Sequence, residues 1–433
     1  ATMHSLRDAL TTDADRAVFD DLVAGRPTVW RPHRGGTAPD HSALSALAPL
    51  VDAAEDRFRW FAPLFEELFP DTRGRGGIIE SELTKVTALS EALGTGFDAP
   101  VPANLWVKRD DSLAVSGSVK SRGGIHEVLQ PAVETADELG IDLADGPLTF
   151  LSETTRERMA TRRIVVGSTG NLGMSIGLMG AVLGFSVTVH MSHDAKQWKK
   201  ERLRASGVEV VEHETDFTEA VHAGRLAAEA DPHAHFIDDE NSRSLFAGYA
   251  VAGRRLAGQL AASSVVVDAG HPLTVYLPCG IGGAPGGITY GLWETFGDAV
   301  HCVFVEPVAM PAFLLGRLTG RDDAVAVTDI GRGEATLADG LAVGRPSGFV
   351  GATVGHLVAG YATVTDDDLM RVLRLAHDVA GMKLEPSACA GLRAAGCLGN
   401  GDGDGGTHIA WLTGGSLMPD EEFAALLDSS AAF

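Results

Sequence analysis

The sequence predicts an α/β protein built on mostly parallel sheet, and three observations predict it. Short apolar runs alternate with helical patterns of roughly 10 to 15 residues, the rhythm that puts crossover helices between parallel strands. Two glycine-rich loops, GSTGNLG at 167–173 and CGIGGAPGG at 279–287, each follow an apolar strand and open a helix. A lysine, Lys120, stands between a small-residue turn and a third helical pattern.

The elements follow in chain order. Residues 5 to about 70 read as helix and loop, with helical spacing of apolar positions from Ala43 to Phe69. IIESELTKVTALSEALG reads as a lead-in and a helix closed by Gly94, since glycine favours the left-handed C-terminal cap. LWVKRD at 105–110 is a strand, turning at Gly117 into the helical SRGGIHEVLQPAVETADELG. IVV, FSVTVHM and VEVVEHE are strands, separated by the helix NLGMSIGLMGAVLG and a basic amphipathic helix at 194–206. A helix is expected at 216–229, followed by SLFAGYAVAGRRLAGQL as another. TVYLPCG, HCVFVEP and THIAWLTGG are further strands, with helices at ITYGLWETFG and at 365–380, whose DDD start suits a helix N-terminus. GNGDGDGG at 399–406 is a polar turn whose aspartates lack the spacing of an EF-hand calcium loop.

Bulk properties bound the function. A chain of 433 residues with 45% hydrophobic residues can bury more than one small core. A net charge of -23 with no basic block argues against nucleic acid and anionic membranes as partners. The four cysteines, Cys279, Cys302, Cys389 and Cys397, form no CxxC pair and no disulfide framework. No apolar run reaches transmembrane length and no signal-peptide pattern opens the sequence, so the expected location is the cytoplasm.

The chemistry concentrates in three places. A lysine fixed at a helix start becomes a nucleophile if desolvated, although a surface lysine is the plainer reading of GSVKSRGG. In GSTGNLG, small residues let backbone N–H groups converge on an anion at a helix start; close packing explains them equally well. CGIGGAPGG is the denser anion nest. Glu306, about 20 residues on, stands where a dinucleotide fold wants its ribose-binding acid, so this loop alone leaves a nicotinamide reading open. His190 and His193 lie three apart without an acidic metal partner at motif spacing. No GxSxG elbow supports a serine hydrolase.

Taken together, the sequence closely resembles the D-serine dehydratase (D-serine ammonia-lyase) family of fold-type II pyridoxal-phosphate enzymes. GSVKSRGGIHEVL, VGSTGNLGMSIG, TVHMSHDAKQWKKERLRASGVEVVE, HFIDDENSRSLFAGYAVAG, YLPCGIGGAPGG, ADGLAVGRPSGFVG and LEPSA carry the resemblance, which runs from IIESE to WLTGGSLMP and weakens before residue 70. It implies large and small domains, each with a mostly parallel sheet and flanking helices. Residues 76–154 and 241–433 would form the large domain, 155–240 the small one, and 1–75 a helical extension on the large domain, with the site in the cleft.

It implies roles residue by residue. Lys120 would hold pyridoxal 5'-phosphate as a Schiff base and shuttle the α-proton. Gly280, Ile281, Gly282, Gly283 and Ala284 would bind the phosphate; the family usually has glycine where Ala284 stands, and a methyl group is tolerated there if φ is negative. Asn171 would bond the cofactor's 3-hydroxyl, and Thr413 would face its pyridine nitrogen. Ser168, Thr169 and Gly170 would hold the substrate carboxylate. Relatives often bind a monovalent cation, potassium, for which Glu306 is the candidate ligand. The implied reaction is β-elimination of water from D-serine, giving pyruvate and ammonia, by a monomer or small homo-oligomer. D-threonine dehydration, serine racemisation and a non-catalytic ligand-binding relative are the alternatives.

Overall fold

Local sequence sets the helix ends. Thr365 accepts the Asp368 amide through its side chain at 3.2 Å, three aspartates occupy the first turn of Asp366–Ala380, and Gly381 closes it at φ 65°. The helix Thr87–Phe97 runs through Gly94, where the sequence suggested a stop, and Asp98 takes the left-handed cap at φ 46°. In a computed structural model, residues 2–33, 41–214, 217–398 and 406–433 are described, 396–398 by backbone alone. The glycine-aspartate tract at 399–405 lies outside the described residues.

The strands are β1 (Val29–Trp30), β2 (Leu83–Lys85), β3 (Leu105–Lys108), β4 (Arg163–Gly167), β5 (Ser186–Ser192), β6 (Glu209–His213), β7 (Ala234–Ile237), β8 (Leu273–Pro278), β9 (Val300–Pro307), β10 (Gly360–Val364) and β11 (Thr407–Trp411). The sequence reading missed β1, β2, β7 and β10. The chain divides into two compact units. The first comprises Ala1–Leu47, Glu82–Asp111 and Tyr249–Phe433; the second comprises Ala48–Ser81 and Ser112–Gly248. Lys120 and the helix Ala48–Leu68 therefore go with the second unit, and β1 with the first.

The first unit holds a seven-stranded sheet in the order β1-β10-β9-β8-β11-β3-β2, parallel throughout its interior and antiparallel only at the two edge pairs. Its central strands are buried on both faces, as strands covered by helices must be: Val275, Leu277, Phe304 and Ile409 on one face and Tyr276, Val305 and Ala410 on the other. The second unit holds a four-stranded parallel sheet, β6-β5-β4-β7. The helix Asn171–Val182 lies on β5 through its glycines: a Cβ on Gly173 would stand 2.8 Å from Val189, and one on Gly180 would stand 2.7 Å from Val187. Two α/β units with mostly parallel sheets are the predicted fold class.

In the second unit, the helices Ala48–Leu68 and Lys120–Glu138 are joined by His126. Its Nδ1 lies 2.7 Å from the Ser244 carbonyl oxygen, which only accepts, so Nδ1 carries the proton and Nε2 accepts from Arg57 at 2.7 Å. Burial pushes His126 down to about 4. The folded chain thus refuses a proton that the unfolded chain accepts near its ordinary value. The stabilising effect is complete above about pH 6.5, the unfolded value, and is lost as pH falls toward 4. It is worth roughly 3 kcal/mol at full extent. We predict that thermal melts of wild type lose more stability between pH 7 and 4.5 than melts of H126Q, which cannot titrate there. Equal losses would contradict the assignment.

Candidate active site

The second unit places Lys120 at the head of the helix Lys120–Glu138, behind the turn LAVSGSV. That turn is held against its preference: Val115, β-branched, sits at φ 79°, a conformation that costs on the order of 1–3 kcal/mol. Hydroxyl groups keep it there. The Oγ of Ser116 lies 2.6 Å from that of Ser121 and 2.7 Å from that of Ser175, and Ser175 donates to the Asn171 carbonyl at 3.1 Å. Ser118 accepts the Lys120 amide at 3.2 Å. Buried serines thus tie the Lys120 turn to the helix that begins at Asn171, so the structure brings these two predicted site elements together. Arg122, one residue beyond Ser121, is pinned by a buried ion pair to Glu80 at 2.6 Å.

The loop 167–170 leaves the C-terminal end of β4, and Ser168 N–H bonds the His190 carbonyl at 2.9 Å. Ser168 Oγ accepts the amides of Gly170 at 3.0 Å and Gly173 at 2.8 Å. Both its lone pairs are engaged, so what it offers a ligand is its proton. Thr169 and Asn171 are partly exposed, whereas Ser168 and Gly170 are buried. Through the Gly173 amide Ser168 satisfies one first-turn donor of the helix Asn171–Val182, whose positive end starts at this loop.

The first unit gathers the other predicted residues at the C-terminal ends of three neighbouring parallel strands, where α/β sheets place ligands. Gly280 and Ile281 follow β8, and Gly282, at φ 113°, caps the helix Gly283–Phe296 without a side-chain bond. A Cβ on Gly280 would stand 2.9 Å from the Gly340 oxygen, so the backbone there approaches its neighbours closely. Ala284 falls in the helical first turn, where φ is negative and a methyl group is accommodated. Thr413 follows β11, the strand beside β8, and is partly exposed. The nest, its uncapped helix and the partly exposed hydroxyl fit a phosphorylated cofactor.

Glu306, on β9, is wholly buried, and its oxygens accept the amides of Phe313 at 2.6 Å and Leu314 at 2.9 Å. Burial pushes it up to about 8 while those two amides pull it down. It caps the helix Ala312–Thr319, a use the sequence did not suggest. Among the described residues no group of three or more histidine, cysteine, aspartate or glutamate side chains is placed to hold a metal. His190 does not pair with His193: its Nδ1 lies 2.9 Å from Nε2 of His213.

Asp239 escaped the sequence reading. Its carboxyl is raised by burial, with Lys120 pulling it down and Asp238 and Glu127 adding to the rise. An acid in the field of Lys120 could have been sought in the run IDDEN, but five residues hold three carboxylates and nothing local distinguishes one.

Comparison with known proteins bears on what this arrangement is. Residues 76–414 match the family model of the pyridoxal-phosphate dependent enzymes. A probable D-serine dehydratase of Pseudomonas paraeruginosa is 49% identical over 430 residues, covering 95% of each chain. One of Bacillus cereus is 50% identical over 425 residues, covering 94% of this chain and 95% of the relative. Among solved structures, threonine deaminase isoform 2 of Solanum lycopersicum superposes with a TM-score of 0.65 at 19% identity, covering 95% of both chains. Diaminopropionate ammonia lyase of Escherichia coli, in complex with D-serine, superposes with a TM-score of 0.66 at 16% identity, covering 94% of this chain and 99% of the other. The structures establish the shared fold; the family match and the full-length identity establish more, and the chain belongs to the pyridoxal-phosphate-dependent enzymes, in the branch that holds these probable D-serine dehydratases.

Proposed function

We propose that this protein dehydrates and deaminates D-serine to pyruvate and ammonia with pyridoxal 5'-phosphate as cofactor. The observation that carries the reading is the 49% identity to a probable D-serine dehydratase over 95% of the chain, together with the conformity of Lys120 and both glycine loops to the sites such an enzyme needs. When bound, the cofactor supplies an electron sink beside the substrate's α-carbon.

The chain's own residues do the rest. Lys120 would hold the cofactor through its amine and would accept the substrate's α-proton. The amides of Gly280, Ile281, Gly282, Gly283 and Ala284 hold the phosphate, helped by the positive end of Gly283–Phe296. Asn171 hydrogen-bonds the cofactor's 3-hydroxyl, and Thr413 offers the pyridine nitrogen a neutral hydroxyl. Ser168, Thr169 and Gly170 hold the substrate carboxylate. Loss of the α-proton and the β-hydroxyl releases water and 2-aminoacrylate, which hydrolyses to pyruvate and ammonia.

The potassium expectation rests on resemblance alone; at Glu306 a cation would meet oxygens that already accept two amide protons. The test of the reading is stoichiometry. The holoenzyme should release pyruvate and ammonia from D-serine in equal amounts, and racemisation without pyruvate would replace the lyase reading.

A further inference from the structure

Ser387 lies in the short helical turn Pro386–Cys389 and is 3% exposed, and among the described residues its Oγ meets no hydrogen-bond partner. The buried serines already described are bonded: Ser116 to Ser121 and Ser175, and Ser168 to the amides of Gly170 and Gly173. A buried hydroxyl without a partner carries the full cost of its desolvation, so its presence in a native fold calls for an explanation.

Its place in the first unit supplies one. A Cβ built on Gly340 would stand 3.3 Å from Ser387 Oγ, and one on Gly280 would stand 2.9 Å from the Gly340 oxygen. The hydroxyl and the first glycine of the 280–284 loop therefore flank one residue, and that residue has no side chain to screen them. The chain just before Ser387 is also tied to the end of β11, since the Glu385 amide bonds the carbonyl of Gly414, the residue after Thr413, at 3.2 Å. Ser387 thus stands at the ligand end of the seven-stranded sheet.

We propose that Ser387 is a cofactor-binding residue, its buried hydroxyl donating to the phosphate group held by the 280–284 loop. This deepens the function proposed above and rests on its placement of the phosphate at that loop. Two parts of the cofactor could accept the proton, and their capacity decides between them. A pyridine nitrogen has a single in-plane lone pair, which that reading gives to Thr413. A phosphate has three strong acceptor oxygens, and the loop amides do not exhaust their lone pairs. A hydroxyl bonded to phosphate is also charge-assisted, which makes the bond roughly twice as strong as a neutral one.

The test is cofactor binding by the full chain freed of cofactor. Absorbance follows titration with pyridoxal phosphate and with pyridoxal, which has the same aldehyde and no phosphate, in wild type, S387A and S387C. Alanine removes the hydroxyl; cysteine keeps a side chain of similar shape with a weak donor. Either variant should weaken pyridoxal phosphate by about tenfold or more and leave pyridoxal within about twofold of wild type. Without cofactor, S387A should melt no lower than wild type, because its hydroxyl gives up no bond there; a purely structural serine would lower the melting temperature. Equal weakening of the two ligands, unchanged affinity for pyridoxal phosphate, or a lower melting temperature without cofactor would overturn the proposal. If D-serine yields no pyruvate while these affinities are as expected, the lyase reading fails and the role of Ser387 stands.

Discussion

Replacing Lys120 with alanine is expected to abolish turnover of D-serine and the visible absorbance of the lysine–cofactor bond together, with a rate loss of about a thousandfold or more. The reason is chemical. In the proposed function one amine both fixes the cofactor and moves the proton, and alanine can do neither. The fold should survive, because Lys120 is only partly buried and the turn behind it is held by Ser116, Ser121 and Ser175 rather than by the lysine side chain. A melting temperature within a few degrees of wild type would show this. Pyruvate formation by K120A at the wild-type rate would show that the lysine has been misassigned.

Replacing Gly282 with aspartate should lower affinity for pyridoxal phosphate by about a hundredfold or more. Three effects add. The residue sits at φ 113°, which L side chains rarely adopt. Its Cβ would stand 2.5 Å from Cε2 of Phe313. Its carboxylate would occupy the loop proposed to hold the phosphate. Gly282→Ala separates these causes, since it shares the backbone and steric effects and lacks the charge, and it should fall between wild type and G282D. Titration of the apo proteins with the cofactor measures all three. Wild-type affinity in G282D would place the phosphate elsewhere.

Much of the fold was legible because glycine punctuates it. The loops at 167–173 and 279–287 marked the ends of β4 and β8 and the starts of two helices, and Lys120 was marked by the small residues before it. The strands that escaped are those whose identity is tertiary. β1 has two residues and exists by pairing with β10, and GYATV of β10 is a short run of five that periodicity cannot assign. The same holds for the candidate site. Ser116 and Ser175 meet across 59 residues of sequence. A basic helix reads as solvated until its lysines are seen to be buried, as Lys199 and Lys200 are. Glu306 entered as a cation ligand through resemblance alone, and its acceptance of the Phe313 and Leu314 amides depends on a turn that no spacing rule describes.

The central claim concerns D-serine, and handedness tests it most directly. In the proposed function the α-proton must leave perpendicular to the cofactor plane while the carboxylate stays on the 168–170 loop. With both fixed, the opposite enantiomer must exchange its side chain with its proton or bind in a flipped pose, and a misplacement of about 1 Å can slow reaction roughly a hundredfold. The measurement is pyruvate or 2-oxobutyrate formation by the holoenzyme from D-serine, L-serine, D-threonine and L-threonine at one concentration. D-serine should be turned over fastest, D-threonine more slowly and both L-isomers poorly; faster turnover of L-serine than of D-serine would contradict the account.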